Sequence, residues 1–348
     1  MELSIVVPVL NEAAILTQFV DRLRRQRGIA FELLLCDGGS TDGTPQLAAR
    51  LAAEVSWPCR LIRSPRGRGF QLNAGADAAR GELLLFLHVD SAFASDDALR
   101  RACDVYCAAR AASPWPVGGH FRLRFTDAPA EFLVRMRYWE IKAGLDRPGC
   151  THGDQGFLLD RAVFARFGPF DTDLPVFEDT RFAERLRRQG RWLLLPVPLL
   201  TSARRFVSEG LSERQTLNAL LMACHAIGWH DFFALAGDVY RQQAATDRLR
   251  LGPYVELIRH RFAAMPRRQR WRLWYRTGRF VRANAWQLLL AWNVRRGRWT
   301  RATAVDAIES ALRRFDRVFD VLTDHGAGHL LAALATRIWL ARVGARCR

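Results

Sequence analysis

GELLLFLHVDS, residues 81–91, is the stretch on which the fold turns. Gly81 is a turn residue, five apolar residues run from Leu83 to Leu87, and the run stops at His88-Val89-Asp90-Ser91. A short, almost wholly apolar run predicts a strand buried on both faces of a sheet. The imidazole and carboxylate at its end admit two readings. Either they mark where the strand reaches water, or they face a ligand.

Working outward, three strand patterns precede this one, at Leu3–Val9, Phe31–Cys36 and Arg60–Arg63. Helical patterns lie between them at Ala13–Arg25, Pro45–Val55 and Gln71–Ala79, with a further one at Asp97–Ala109. This βαβαβαβ order predicts an α/β fold with a mainly parallel sheet and right-handed crossovers. In such sheets ligands bind outside the carboxyl ends of the strands. Four consecutive strands leave on polar or charged groups there: Asn11-Glu12, Asp37, Arg66 and Arg68, and His88 with Asp90.

Beyond residue 110 the alternation fades. VGGHFRLRF (117–125) alternates like a half-exposed strand, Ala130–Ala143 reads as a helix, and Asp146–Asp154 as a loop. Gly156–Leu159 reads as a short strand, Glu178–Gln189 as a helix, and Trp192–Leu195 as an apolar run. From about Arg204 the pattern is helical, basic and rich in tryptophan. This composition shift divides the chain into residues 1–204 and an all-α region, residues 205–348.

The chain has 348 residues, 49% of them apolar, enough for a sizeable core rather than a disordered chain. Its formal charge of +17 is unevenly placed. Residues 205–348 carry 25 Arg against 11 Asp and Glu, whereas residues 1–204 are close to balance. Lys142 is the only lysine. The seven cysteines, at 36, 59, 103, 107, 150, 224 and 347, form no C-x-x-C pair and read as free thiols in a reducing cytoplasm. Met1 leads straight into the strand-like LSIVVPVL, so no signal peptide is expected. No uncharged apolar run reaches the roughly 18 residues that a membrane span needs.

Several motifs sit at the strand exits. VPVLNE (7–12) ends a strand and offers Asn11 as a cap for the next helix. CDGGSTDGT (36–44) fixes Asp37 at a strand tip ahead of a tight glycine turn, with Ser40, Thr41 and Asp42 as caps for the following helix. SPRGRGFQLNAG (64–75) sets Arg66 and Arg68 among glycines before a helix start, which suits a phosphate as well as an exposed basic loop. The G-x-G-x-x-G dinucleotide pattern is absent from both. THGDQGFLLD (151–160) brings His152, Asp154 and Gln155 close together, and VFEDTRF (176–182) opens a helix with Glu178-Asp179, which also complements the helix dipole.

In this order and spacing the pieces resemble the family 2 glycosyltransferases of the GT-A fold, over about residues 1–240. RGRGFQLNAG, LLLFLHVDS and HGDQGFLLDRAVF resemble most a compact bacterial subgroup of unassigned acceptor. The resemblance implies a nucleoside-diphosphate sugar donor and a hydroxyl acceptor. Pro8, Glu12 and Asp37 would surround the base and ribose, Arg66 and Arg68 the base or phosphates, and Asn73 would lie near the ribose. Asp90 matches the last Asp of the family's D-x-D, the ligand of a Mg2+ or Mn2+ ion on the diphosphate. Asp179 of the Glu178-Asp179 pair would be the general base, with His152, Asp154 and Gln155 on the acceptor and sugar side. One base and no protein nucleophile implies inversion at the anomeric carbon. His88 stands where many relatives have Asp, and a neutral imidazole is a poor ligand for a hard cation.

Seven of the eleven tryptophans lie in residues 205–348, five of them in the arginine-bearing neighbourhood of RWRLWYR (270–276), NAWQLLLAW (284–292) and RRGRW (295–299). That pattern suits an anionic membrane surface. It would hold a cytoplasmic enzyme on the inner face of the cytoplasmic membrane, beside a lipid-linked acceptor. It equally suits a helical domain with buried tryptophans and solvated arginines. RRQRW (267–271) is similar to the Q-x-x-R-W of processive synthases but differs in spacing, and is set aside. Two other readings stay open. One is a nucleotidyltransferase on a similar sheet, although VPVLNE stands where that class needs a Gly-rich loop with lysine. The other is a non-enzymatic lipid- or nucleic-acid-binding protein with a degenerate transferase domain; nucleic acid is not an expected partner of the first reading.

Overall fold

Strands β1 (Leu3–Val9), β2 (Phe31–Asp37), β3 (Cys59–Arg63) and β4 (Leu83–Phe86) alternate with helices α1 (Ala13–Arg24), α2 (Thr44–Glu54) and α3 (Arg68–Ala78). The four strands are parallel, in the order β3-β2-β1-β4. Side chains of a strand alternate between faces, and here both faces are covered. Leu3, Ile5, Leu33, Leu83 and Leu85 enter one apolar cluster, while Val6, Leu34, Leu84 and Phe86 enter the other. Two cores at period two explain why the run at 83–87 carries no polar residue. The computed structural model describes residues 2–173, 176–243 and 248–346, without the side chains of 234, 238 and 240–243. Cys347 lies outside the described residues, and Cys36, Cys59, Cys103, Cys107 and Cys224 are free thiols.

The chain continues through β5 (Ser91–Phe93), α4 (Ala98–Ala111), β6 (Val117–Thr126), α5 (Leu133–Ala143), β7 (Phe157–Asp160), α6 (Arg161–Phe167), α7 (Glu178–Gln189) and β8 (Arg191–Ser202). The sheet has eight strands in the order β3-β2-β1-β4-β7-β6-β8-β5, and it is mixed. β7 runs antiparallel to β4, with Phe157 opposite Phe86. The loop before β7 is thereby returned to the carboxyl edge of β4.

Three elements differ from the sequence expectation. β5 and α6 were not foreseen, and the apolar run at Trp192–Leu195 is part of a twelve-residue strand. Proline cannot donate to a ladder, so two prolines at 196 and 198 would ordinarily interrupt a strand. A bulge accommodates them. Leu195 pairs with Phe121 and Pro198 with the next residue, Arg122, so residues 196–197 are extra. Such a bulge bends the strand. Past it, Leu199–Thr201 pair with β5, only a few residues after β4.

The chain divides into two compact units, Met1–Asp127 with Lys142–Ser202, and Ala128–Ile141 with Ala203–Arg348. Most of α5 therefore belongs with the C-terminal helices, whereas a single cut near 205 leaves it with the sheet. Those helices are α8 (Arg204–Glu209), α9 (Leu211–Ala226), α10 (Asp231–Gln243), α11 (Gly252–Ala264), α12 (Arg267–Ala283), α13 (Trp286–Arg295), α14 (Val305–Thr323) and α15 (Gly326–Arg346). α12 and α15 pack closely at Gly278, where a β-carbon would meet the His329 carbonyl. Buried Arg282 pairs there with Asp320 and with Asp324 at 3.0 Å, and His329 bonds both Asp324 and Tyr275 at 2.9 Å. The tryptophans divide between the two expected settings. Trp229 and Trp286 are buried, whereas Trp271 and Trp292 are 59% and 54% exposed. Among the described residues no helix is long and apolar enough to cross a membrane.

Candidate active site

The first two strand exits are zipped together. Asn11 adopts φ 56°, a left-handed conformation that Asn tolerates better than most residues. Its N–H donates to Ser40 Oγ at 2.9 Å, and its Oδ1 accepts from Thr41 N–H at 2.8 Å. The Glu12 N–H donates to Thr44 Oγ1 and that of Ala13 to Asp42 Oδ2. Asn11, Ser40 and Thr41 thus bind loop to loop rather than capping the next helix, as local spacing suggested. Of the proposed caps only Asp42 accepts from the first N–H of α2, that of Thr44 at 3.0 Å. Asp37, buried at the tip of β2, accepts from Gly39 and Ser40 N–H at 3.1 Å. Pro8 lies opposite Cys36 in the same sheet edge.

Helix α3 begins on Arg68, while Arg66 stays exposed in the loop before it. Gln71, one turn on, is a residue that sequence reasoning missed. Buried, it donates from Nε2 to Val9 O at 2.8 Å and Cys36 O at 2.7 Å, locking the ends of β1 and β2. Asn73, expected near the ribose, holds a backbone segment. Its amide donates to Phe170 O and accepts from Phe170 N–H, both at 2.8 Å, which fixes the loop after α6. Gln155 is likewise a support, buried with Nε2 donating to Cys150 O at 2.7 Å.

The remaining charged candidates converge around Arg68. Its Nε lies 3.2 Å from Glu178 Oε1, and the charges of Glu178, Asp179, Asp154 and Asp90 all act on it. Burial works against its charge, and the four carboxyl groups more than offset this, holding its pKa above the ordinary value. Its side chain is still 37% exposed, so these charges are partly screened. Arg68, His88, Gly153 and Asp179 line one small cleft with Leu72, Phe86 and Phe170.

Neighbouring carboxyl groups are pushed in opposite directions. Phe177, in the left-handed region at φ 72°, turns the chain so that α7 starts on Glu178 and Asp179. Asp179 Oδ2 accepts from Gly153 N–H at 2.6 Å, and Oδ1 accepts from Thr180 N–H at 2.6 Å. Burial opposes ionisation of Asp179, but Arg68, His152 and these N–H donors outweigh it and hold its pKa below the ordinary value. Glu178, only 1% exposed, is pushed up to about 7, chiefly by burial and further by Asp179, with Arg68 offsetting part of it. Asp154 is also raised, first by burial and then by the Asp179 and Asp90 charges. His152 bonds Thr180 Oγ1 at 2.9 Å and Gly149 O at 3.0 Å, so it supports the Asp179 side chain through Thr180.

A fourth buried carboxylate shows what a purely structural one looks like. Glu32, near the amino ends of the strands, accepts from Ser4, Arg60 and the Arg80 N–H at 2.6–2.8 Å. By contrast Asp154 Oδ1 is buried without a hydrogen-bond partner, and Glu178 Oε1 faces only the Arg68 guanidinium, 3.2 Å away. Orphaned acceptors of this kind fit a cation or a donor that arrives with a ligand. Among the described residues no three His, Cys, Asp or Glu groups form a metal cage. A hard divalent cation needs few protein oxygens when a bound molecule supplies the rest, so the unpartnered Asp154 oxygen fits such a cation.

The site is thus an arginine and a carboxylate cluster at the carboxyl edge of an open α/β sheet. Residues 4–159 match the model of glycosyl transferase family 2. Over 99 residues, 28% of this chain, it is 39% identical to a PGL/p-HBAD biosynthesis glycosyltransferase of Mycobacterium tuberculosis, and spans 39% of that protein's length. It is 33% identical over 95 residues, 26% of this chain, to a dodecaprenyl-phosphate galacturonate synthase of Rhizobium johnstonii, and spans 28% of it. A mannosyltransferase of Pyrobaculum calidifontis, in complex with GDP-Man and Mn2+, is similar in structure at 18% identity. That match has a TM-score of 0.48 over 97% of this chain and 87% of the other.

Proposed function

We propose that the protein is an inverting glycosyltransferase that moves a sugar from a nucleoside-diphosphate sugar to a hydroxyl acceptor. The observation that carries this reading is the pair of opposed carboxyl groups beside Arg68. Such a pair separates the group that takes a proton from the group that keeps one. Asp179, held ionised, is the base: Oδ2 keeps a second lone pair beside its bond to Gly153 N–H. As the acceptor oxygen attacks the anomeric carbon, its proton passes to Asp179 and the diphosphate leaves from the opposite face. Arg68 is the protein's own cation for the leaving oxygens, and we assign Asp37 and the loop around Asn11 to the base and ribose. Asp90 would hold a Mg2+ or Mn2+ ion together with the diphosphate oxygens, adding positive charge where negative charge develops.

The acceptor reading rests on the helical unit. Its surface exposes Leu288 at 75%, Val321 at 82% and Leu331 at 67%, among arginines. We read it as a face for anionic lipid, which places a lipid-linked acceptor beside the enzyme. The name of the Rhizobium relative, a dodecaprenyl-phosphate galacturonate synthase, supports an acceptor of that class.

Asp179→Asn keeps the shape of the side chain and removes the base. Sugar transfer should fall by about 10²–10⁴-fold, while donor sugars still raise the melting temperature. Unchanged transfer by this variant would remove Asp179 from the mechanism. Loss of both transfer and donor stabilisation would instead make Asp179 a structural residue.

A further inference from the structure

The helical unit contains a groove of about 260 Å³, away from the Arg68 cluster in sequence and in lining. One wall is α5, through Val134, Arg135, Tyr138 and Trp139; the other is α13, through Ala291, Val294 and Arg295, with Gln215 of α9 between. Residues 134, 135, 138 and 139 share one helical face, as do 291, 294 and 295. Each helix thus presents one guanidinium on an otherwise apolar or aromatic stripe.

The walls are fixed. Tyr138 Oη donates to Gln287 Oε1 at 2.9 Å, joining α5 to the start of α13. Glu140, with a fully buried side chain, takes both arms of Arg301 at 2.6 and 2.7 Å. Arg135 Nη1 donates to Ser212 Oγ at 2.8 Å, which sets the guanidinium against α9. A bidentate ion pair on a buried carboxylate and two cross-helix hydrogen bonds hold the groove open before any ligand arrives.

The rim differs from the walls. Leu288 and Trp292, 75% and 54% exposed, extend the face of α13 that carries Ala291 and Arg295. Leu133, 46% exposed, adjoins Val134 on α5. The Arg296 guanidinium lies 4.5 Å over the Trp292 ring. An apolar collar around a groove with two guanidinium groups matches one kind of molecule: an anionic head on an apolar chain that continues past the rim. A free nucleotide would leave the collar in water, and a neutral lipid would leave both arginines unmatched.

We infer that this groove binds the phosphate head of a prenyl-type lipid phosphate, with Arg135 and Arg295 on the phosphate and the chain passing over Ala291, Val134 and Leu288. Arginine forks are suited to phosphate through paired charge-assisted hydrogen bonds. The inference deepens the acceptor reading above and rests on it for its role, although binding itself does not require sugar transfer.

The test is a calorimetric titration of the full chain with farnesyl phosphate, farnesol and inorganic phosphate. Farnesyl phosphate should bind at least about tenfold more tightly than either fragment alone, since only it satisfies both halves of the groove. Arg295→Gln should weaken it about tenfold or more, and Ala291→Trp, which fills the groove without touching charge, should abolish it. Melting temperatures within a few degrees of wild type establish that both variants are folded. Equal affinity for farnesol means a plain apolar surface and overturns the proposal, as does equal affinity for inorganic phosphate. Unchanged binding in both variants, or no binding of farnesyl phosphate to the wild type, overturns it too. If the lipid phosphate binds through the groove but no lipid-linked hydroxyl receives sugar, the groove stands and the acceptor reading fails.

Discussion

Glu178 and Asp179 share a helix start, yet one keeps its proton near neutrality and the other does not. The contrast makes a prediction about stability. Glu178 goes from an ordinary value of 4.5 to about 7 in the folded chain. Between those values the folded state binds a proton that the unfolded state lacks, so stability falls as pH rises through the window. A shift of this size corresponds to roughly 3 kcal/mol. Glu178→Gln cannot ionise and should gain on the wild type by about that amount as pH goes from about 4.5 to about 8. Asp154, raised in both proteins, cancels in the comparison, and Asp179, lowered, titrates below the window. Denaturant unfolding of the two proteins across pH measures the gap; a constant gap would mean that Glu178 does not titrate there. At this scale the sequence made Asp37, Asp90, Asp179 and Arg68 legible, because charged groups at buried strand exits stand out. It gave no hint that Asn73 bonds the Phe170 backbone, since that partner lies 97 residues away. Gln71 was invisible for the same reason: a glutamine in a helix pattern does not announce that it holds two strand ends.

Helix α3 carries both the lock and the cation of the site, and its placement depends on a small residue. A β-carbon at Gly75 would press into the Val6 and Cys36 side chains, so the helix lies directly on β1 and β2. Gly75→Ala must push α3 outward or force those side chains off their rotamers, at a cost of roughly 1–3 kcal/mol. Because Gln71 and Arg68 ride on the same helix, donor-induced stabilisation should weaken along with the urea midpoint. An alanine variant as stable as wild type would show that α3 has slack against the sheet. Element by element, β1 to β4 and α7 were readable, for their apolar periods are strong and their ends are marked. β8 was cut short because the Pro196-Val197-Pro198 bulge is legible only with its partner β6 in view, and three-residue β5 is too short to carry a period. Phe177 gave no sign of its left-handed backbone, which other residues around Glu178 and Asp179 must impose.

At the scale of the molecule, sequence reading located the change from sheet to helices near residue 205. It could not see that residues 128–141 pack with the later helices, because a helix pattern does not say which neighbours bury its face. Charge is the other property of this scale. Of a net +17, residues 205–348 carry +14, from 25 Arg against 11 Asp and Glu. The same region exposes Trp271, Trp292, Leu288 and Val321. Basic residues near an anionic bilayer contribute about 1 kcal/mol each at low salt, and apolar insertion adds a part that salt does not screen. The full chain should therefore co-sediment with vesicles rich in phosphatidylglycerol and far less with phosphatidylcholine alone. Raising salt from about 0.1 M to about 1 M shortens the screening length from about 10 Å to about 3 Å, and should reduce binding at least about tenfold. The double variant Leu288→Glu, Trp292→Glu should lose the remainder that persists at high salt, with the melting temperature little changed because both side chains are exposed. Equal binding to neutral vesicles would refute the electrostatic half of this account. Unaltered high-salt binding in the double variant would move the apolar contact away from α13, towards the exposed Val321 and Leu331 of α14 and α15.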